Sequence, residues 1–218
     1  MARPASADGP GRRARRRSET RTKLIVAARE LMARQGMDAT SIQEITDRAD
    51  VGFGSFYNHF TSKEEIADAV MDEVIETFGA SADFLAKTID HPAEIVAASV
   101  RHGVRRATSD DAWGWFLVRR MLVQADSMRH GLGRRLSRDV RRGIDGNRFK
   151  VDDPQAVTLA IRGAVLAIMA GRLHGEIGAD APERAAVVVL RLLGVPPKRA
   201  HDIAHRPLPA LGAPDGQR

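Results

Sequence analysis

The segment Val51-Gly52-Phe53-Gly54-Ser55-Phe56-Tyr57-Asn58-His59-Phe60 holds the only tyrosine of the chain and crowds hydroxyl, amide, imidazole and aromatic groups into one short stretch. Small residues come first and bulky ones after, which fits a short helix pressed against a flat polar surface rather than one buried in a core. The surface of that kind that these groups match is DNA.

Other candidate chemistry is thinner. Gly52-x-Gly54 lacks the third glycine of a dinucleotide loop, whose place Tyr57 takes, and no strand pattern precedes it. His201 and His205 have the i,i+4 spacing of metal ligands, but nothing completes a site in a proline-rich tail, so no metal is expected. Arg134, Arg135, Arg138, Arg141 and Arg142 alternate with apolar residues and read as the solvated face of a helix, an anionic effector being the lesser alternative. No catalytic constellation is visible, so the reading is of a protein that is not an enzyme and needs no cofactor.

Periodicity supplies the elements that position these groups. Leu24, Ile25, Ala28, Leu31 and Met32 form one apolar stripe of a first helix that Gly36 can end. Thr40-Ser41-Ile42-Gln43-Glu44 reads as a capping box opening a second helix, with Ile42, Ile45 and Ala49 inward. Asp50 suits a left-handed turn, Val51 plugs the angle between helices, and a third helix runs from Gly52 to about Asn58. Two short helices joined by so tight a turn are the layout of a helix-turn-helix, whose second helix enters the major groove.

The rest of the chain also reads as helical, about nine helices in all, and the fold class expected is all-α. Ser62-Lys63-Glu64-Glu65 caps a long fourth helix, Pro92 opens a fifth, and a sixth spans Trp113 to Gln124. Leu132, Leu136, Val140 and Ile144 stripe a seventh, Asp153-Pro154 opens an eighth to about His174, and Pro182 opens a ninth through Leu193. The last two are apolar nearly all round, so they form either the central core of one chain or a four-helix interface with a second copy. The small residues Gly163, Ala164, Ala167 and Gly171 favour the homodimer, through helices at about 154–174 and 182–193.

Charge is unevenly spread over the 218 residues. Residues 1–23 carry eight Arg or Lys against Asp8 and Glu19, which accounts for the entire formal charge of +6. Such an arm beside a DNA-reading motif points to a polyanion. The absence of cysteine rules out disulfides and thiolate metal sites, and no stretch reads as a leader or as a bilayer span, so a cytoplasmic protein without a membrane partner is expected. The expected organisation is a disordered basic arm at 1–19, a helix-turn-helix domain at 20–63, a helical ligand-binding and dimerisation domain at 64–195, and a Pro-rich tail at 196–218.

From Thr20 to about Val74 the chain resembles the N-terminal domain of the tetracycline-repressor (TetR) family of bacterial transcription regulators. The aromatic run ending in His59-Phe60 and the following Thr61-Ser62-Lys63-Glu64, placed after the capped helix, carry the resemblance. It implies that Phe53, Gly54 and Ser55 approach bases, that Tyr57 and His59 donate to phosphates, and that Thr40, Ser41, Gln43 and Lys63 meet the backbone. Asn58 could pair with adenine. Phe53 stands where Lys or Arg is frequent and Gly52 where a capping Ser is usual, so a thymine methyl rather than guanine is the base feature Phe53 can meet.

The same resemblance implies a homodimer on a (pseudo)palindromic double-stranded operator, released by a small-molecule effector held among the middle helices. His102, Trp113, Phe116, Arg119, Met121 and Met169 are the candidate effector-pocket residues. The competing expectation is a sequence-tolerant architectural DNA-binding protein in which the arginine arm supplies most of the affinity and no effector acts.

Overall fold

The computed structural model describes residues 10–109, 111–123 and 131–211, and among these the chain forms ten helices and no strand. It divides into two compact units, one through Asp72 and one from Glu73.

The first unit contains α1 (Pro10–Ala39), α2 (Ile42–Ala49), α3 (Phe53–Phe56) and the beginning of α4 (Lys63–Thr88). Leu24, Ala28, Ile45, Phe56, Phe60, Ile66 and Val70 are among its buried residues. Burying each of the larger side chains is worth about 1.5–3 kcal/mol. Gly36 breaks α1 at φ 81°, a backbone conformation that costs a glycine little. The carbonyls freed there are satisfied locally: Thr40 Oγ1 donates to Gly36 O at 2.7 Å, and Lys63 Nζ donates to Met37 O and Asp38 O at 3.1 Å each.

One expectation is corrected at the other end of α1. Residues 10–19 are not a disordered arm but the first turns of the helix. A helix nucleated by the apolar stripe extends at no further nucleation cost, and Arg and Ala are good helix formers. Arg15 pairs with Glu19 one turn on at 3.2 Å.

The second unit takes α4 from Glu73 and adds α5 (Pro92–Ala107), α6 (Asp111–Val123), α7 (Gly131–Asp145), α8 (Pro154–Leu173), α9 (Ala181–Leu192) and α10 (Pro197–Ala204). Its caps follow the sequence closely. His91 accepts the Ala93 N–H ahead of α5, and Asp153 accepts the Gln155 and Ala156 N–H groups at 2.9 Å ahead of α8. Helix α9 is the central element, packed by α5, α8 and α10, and Ala186, Val189, Leu190 and Leu193 make it the middle of the core with Val96, Ile161 and Phe149.

Through residue 211 the tail packs against the second unit. Helix α10 is followed by a strap along α5, where Arg101 Nη1 donates to Arg206 O at 2.7 Å and His102 Nε2 lies 2.8 Å from Pro209 O. Beneath it, buried Arg101 pairs with Glu183 of α9 at 2.9 Å. Burial opposes ionisation of Glu183, but the bonds and charges of Arg101 and Arg105 outweigh it and hold the carboxyl below its usual range.

Helix α8 also departs from expectation. At 20 residues, with an 18-residue stretch of mean hydropathy 1.6, it is long and apolar enough to cross a bilayer, and only 28% of that stretch is buried. Its inner face carries Thr158, Ile161, Leu166 and Met169, while Leu159, Ala160, Gly163 and Ala167 remain exposed. Val188 and Leu192 of α9 are exposed as well. The core of a single chain therefore accounts for only one side of these helices.

Candidate nucleic-acid interface and ligand cavity

The helix-turn-helix is built by local bonds. Glu44 N–H donates to Ser41 Oγ at 3.2 Å and Ser41 N–H to Glu44 Oε2 at 2.8 Å, the reciprocal capping box that starts α2. Asp50 ends α2 with φ 54° in the left-handed region, and Val51 N–H returns to Thr46 O at 3.0 Å. Helix α3 is shorter than Gly52–Asn58: one turn, then a tight turn in which Asn58 and His59 N–H reach Ser55 O and Phe56 O at 3.3 and 2.9 Å. Glycine and aromatic residues are weak helix formers, and Gly52 offers no side chain to cap the turn, so buried Phe56 and Phe60 hold it instead.

Holding those two rings inside turns their neighbours out. Phe53 is 45% and Tyr57 52% exposed, edge to face with ring centroids 5.7 Å apart. Gly54 and Asn58 are exposed, and Ser55 and His59 half-buried. Ser41 and Gln43 are exposed at the start of α2, with Gln43 Nε2 donating to Asp47 Oδ1 at 2.7 Å. Thr40 departs from its expected place: it is buried, because its hydroxyl closes the end of α1. Lys63 is likewise engaged with the carbonyls of Met37 and Asp38, a favourable place for a cation.

The sequence reading missed the share of α1 in this surface. Arg16, Arg17 and Thr20 line one shallow depression with Ser55, Asn58 and His59. Arg17 Nη2 donates to Asn58 O at 3.2 Å, and the Arg21 guanidinium lies 5.1 Å from the Phe60 ring centroid. Burial, then the charges of Arg17 and Arg21, hold the His59 imidazole below its ordinary pKa. The available signal was the i, i+3, i+4, i+7 spacing of Arg13, Arg16, Arg17 and Thr20, one face of a helix.

The second unit encloses a cavity of about 170 Å³. Its walls are mostly apolar, among them Ile75, Phe78, Val100, Met121, Leu136, Val165 and Met169, with Asp83, Arg135, Arg138 and Asp139 supplying a polar side and Ser99, Arg106 and Arg162 further polar groups. The first four are engaged in ion pairs. Arg135 bonds Asp83 at 2.8 Å and Glu76 at 2.7 Å; Arg138 bonds Asp83 at 2.8 Å and Asp139 at 2.9 Å. Its bonds to Glu76 raise the pKa of Arg135 further, against its burial.

Of the expected pocket residues, Met121 and Met169 line this cavity. His102 is turned to the Pro209 carbonyl, and exposed Arg119 lies 6.0 Å from the Trp115 ring centroid, so neither is placed on its wall. The side chains of Trp113 and Phe116 lie outside the described residues. Arg135 and Asp139 were the residues missed. The solvated-face reading of α7 fails for Arg135, whose side chain is 12% exposed. Both fall inside the apolar stripe, at i+3 and i+7 from Leu132, and a charge in a stripe is the signal that a buried polar site exists.

The comparisons with known proteins agree with this architecture. The family model "Bacterial regulatory proteins, tetR family" matches residues 24–70, and "Tetracyclin repressor-like, C-terminal domain" matches residues 91–206. The chain belongs to the TetR family of helix-turn-helix transcriptional regulators. The HTH-type transcriptional regulator TcmR of Streptomyces glaucescens is 38% identical over 71 residues, 33% of this chain and 31% of TcmR. The repressor KstR2 of Rhodococcus jostii is 34% identical over 82 residues, 37% of this chain and 40% of KstR2. These curated relatives are thus matched over less than half their length. A crystal structure of RolR in complex with resorcinol is similar over far more: 35% identity, TM-score 0.79, covering 91% of this chain and all of that one.

Proposed function

We propose that the protein is a homodimeric repressor, released from a two-fold operator by a small hydroxylated aromatic effector bound in the cavity of the second unit. The cavity carries this reading. A space of about 170 Å³ is of the size that admits a single benzene-like ring, for which roughly 150 Å³ suffices. Apolar walls suit the faces of the ring, and the Asp83, Arg135, Arg138 and Asp139 side offers donors and acceptors to its hydroxyl groups. RolR, matched over nearly the whole chain, was solved with resorcinol, a ring of this class.

Two further features support the dimer and the operator. The exposed apolar faces of α8 and α9 match a second copy of themselves, which a two-fold axis would bring together. Each copy would then present Phe53, Ser55, Tyr57 and His59 to one half-site, the half-sites lying about 34 Å apart.

The test is fluorescence anisotropy with a duplex from upstream of the gene, titrated with resorcinol, phenol and benzoate. Release by resorcinol or phenol, with operator affinity lowered roughly 5- to 150-fold, is the expected result. Unchanged affinity with every hydroxylated ring would overturn the effector class. Equal affinity for random duplex would favour the architectural DNA-binding reading, which the helical basic extension of α1 also suits.

A further inference from the structure

We propose that Gly79 is a positioning residue of the effector site: its missing side chain leaves a seat on α4 in which the Arg135 guanidinium lies, held between Glu76 and Asp83 at the wall of the cavity. The inference rests on the effector reading for what the cavity binds, though not for the seat itself.

The close approach requires glycine. Gly79 is buried in the interior of α4, and a Cβ placed on it would clash with Arg135 Nη1 and stand 2.6 Å from Cζ and 3.0 Å from Nε. Nothing larger than hydrogen fits there while the guanidinium stays. Glycine inside a helix is less favourable than alanine, so a residue of this kind in mid-helix calls for a packing reason, and the guanidinium supplies one.

The flanking residues make the gap a seat for a cation. Glu76, Gly79 and Asp83 fall at i, i+3 and i+7, one face of α4 with a carboxylate one turn to either side of the glycine. Arg135 Nε donates to Asp83 Oδ2 at 2.8 Å, while Nη1 and Nη2 donate to the two Glu76 oxygens at 3.1 and 2.7 Å. These bonds take three of the five N–H donors and leave one on each Nη nitrogen for a ring hydroxyl. Asp83 also accepts from Arg138 Nη1 at 2.8 Å, so its carboxylate is oriented from both sides. Arg135 and Asp83 both line the cavity, together with Phe78 and Ala82 beside the seat. What a methyl on Gly79 would displace is the end of a long side chain rather than backbone, so the fold would survive the change and the polar geometry would not.

The experiment uses the full chain and Gly79→Ala. Resorcinol binding is measured by calorimetry and duplex affinity by anisotropy without added ring. G79A should weaken resorcinol binding about tenfold or more, the loss expected for one hydrogen bond to a charged group, at unchanged duplex affinity. Wild-type resorcinol affinity in G79A overturns the seat, and so does an equal loss of duplex affinity, which would make Gly79 a structural residue. Urea unfolding tests the seat without a ligand, with G79A made in wild type and in an Arg135→Met background. Alanine favours the helix, so G79A should raise the denaturation midpoint in R135M, and should raise it less or lower it in wild type, where the guanidinium is driven off its carboxylates. Equal shifts in the two backgrounds overturn the seat. Unequal shifts in a chain that binds no hydroxylated ring uphold the seat and sink the effector class instead.

Discussion

The surface of the first unit and the cavity of the second both gather arginine, and they do opposite things with it. Around α3 the guanidiniums of Arg16 and Arg17 line an open depression without a carboxylate. Around the cavity, Arg135 and Arg138 are matched by Glu76, Asp83 and Asp139 at 2.7–2.9 Å. The difference teaches how charge is put to use. Contacts made by an exposed arginine cluster to a polyanion would be weakened by salt, whereas guanidiniums bonded to carboxylates in an apolar wall would present fixed hydrogen-bonding geometry to a small molecule.

The contrast can be broken most forcefully through the anchors that keep each region in shape. Phe56→Ala should cost about 3–5 kcal/mol, since it empties the pocket that holds α3, and thermal melting with the loss of duplex binding would report it. Retained stability would mean that the turn does not depend on that ring. Next in size, Arg101→Ala leaves buried Glu183 with only the half-exposed Arg105 guanidinium, 3.0 Å away, and should destabilise the second unit by about 1.5–3 kcal/mol, read as a lower denaturation midpoint in urea. A neutral result would show that Arg105 alone satisfies Glu183.

Smaller effects sharpen the contrast. Tyr57→Phe removes one exposed hydroxyl and should weaken duplex binding by about 0.5–1.5 kcal/mol at unchanged melting temperature, measured by anisotropy. A melting shift in its place would make Tyr57 a structural residue. Smallest is the acid response of the second unit. The Glu183 carboxyl is held below its unfolded value, so its contribution is complete above the ordinary carboxylate range and is lost as pH falls through the folded value. Melting temperature should decline in that window, and Glu183→Gln should flatten the decline.

How much of this could be read beforehand follows from the range of the interactions involved. Ser41 and Glu44 are three residues apart, Asp153 caps the amides two and three residues on, and Asp50 turns its own backbone, so these features were readable from neighbouring letters. The aromatic order around Tyr57 likewise reported which rings anchor and which face out. The cavity was harder, because Asp83 and Arg135 are 52 residues apart and only folding shows that they meet. Treating α7 as a strict i+4 stripe hid Arg135 and Asp139, which complete the same face at i+3. Residues 10–19 of the basic arm were misread for a related reason: their composition resembles a mobile tail, but their attachment to a nucleated helix makes them helical.

The bare side of α8, covered by the proposed second copy, would tie the stability of the protein to its abundance. If a second copy is what covers Leu159, Ala160, Gly163 and Ala167, each chain is stabilised by its own concentration through mass action. Dilution would then lower the melting temperature and thin the population able to span both half-sites. In a gene circuit that makes the number of copies per cell an input in its own right, so that regulation would sharpen with dosage before any effector is present.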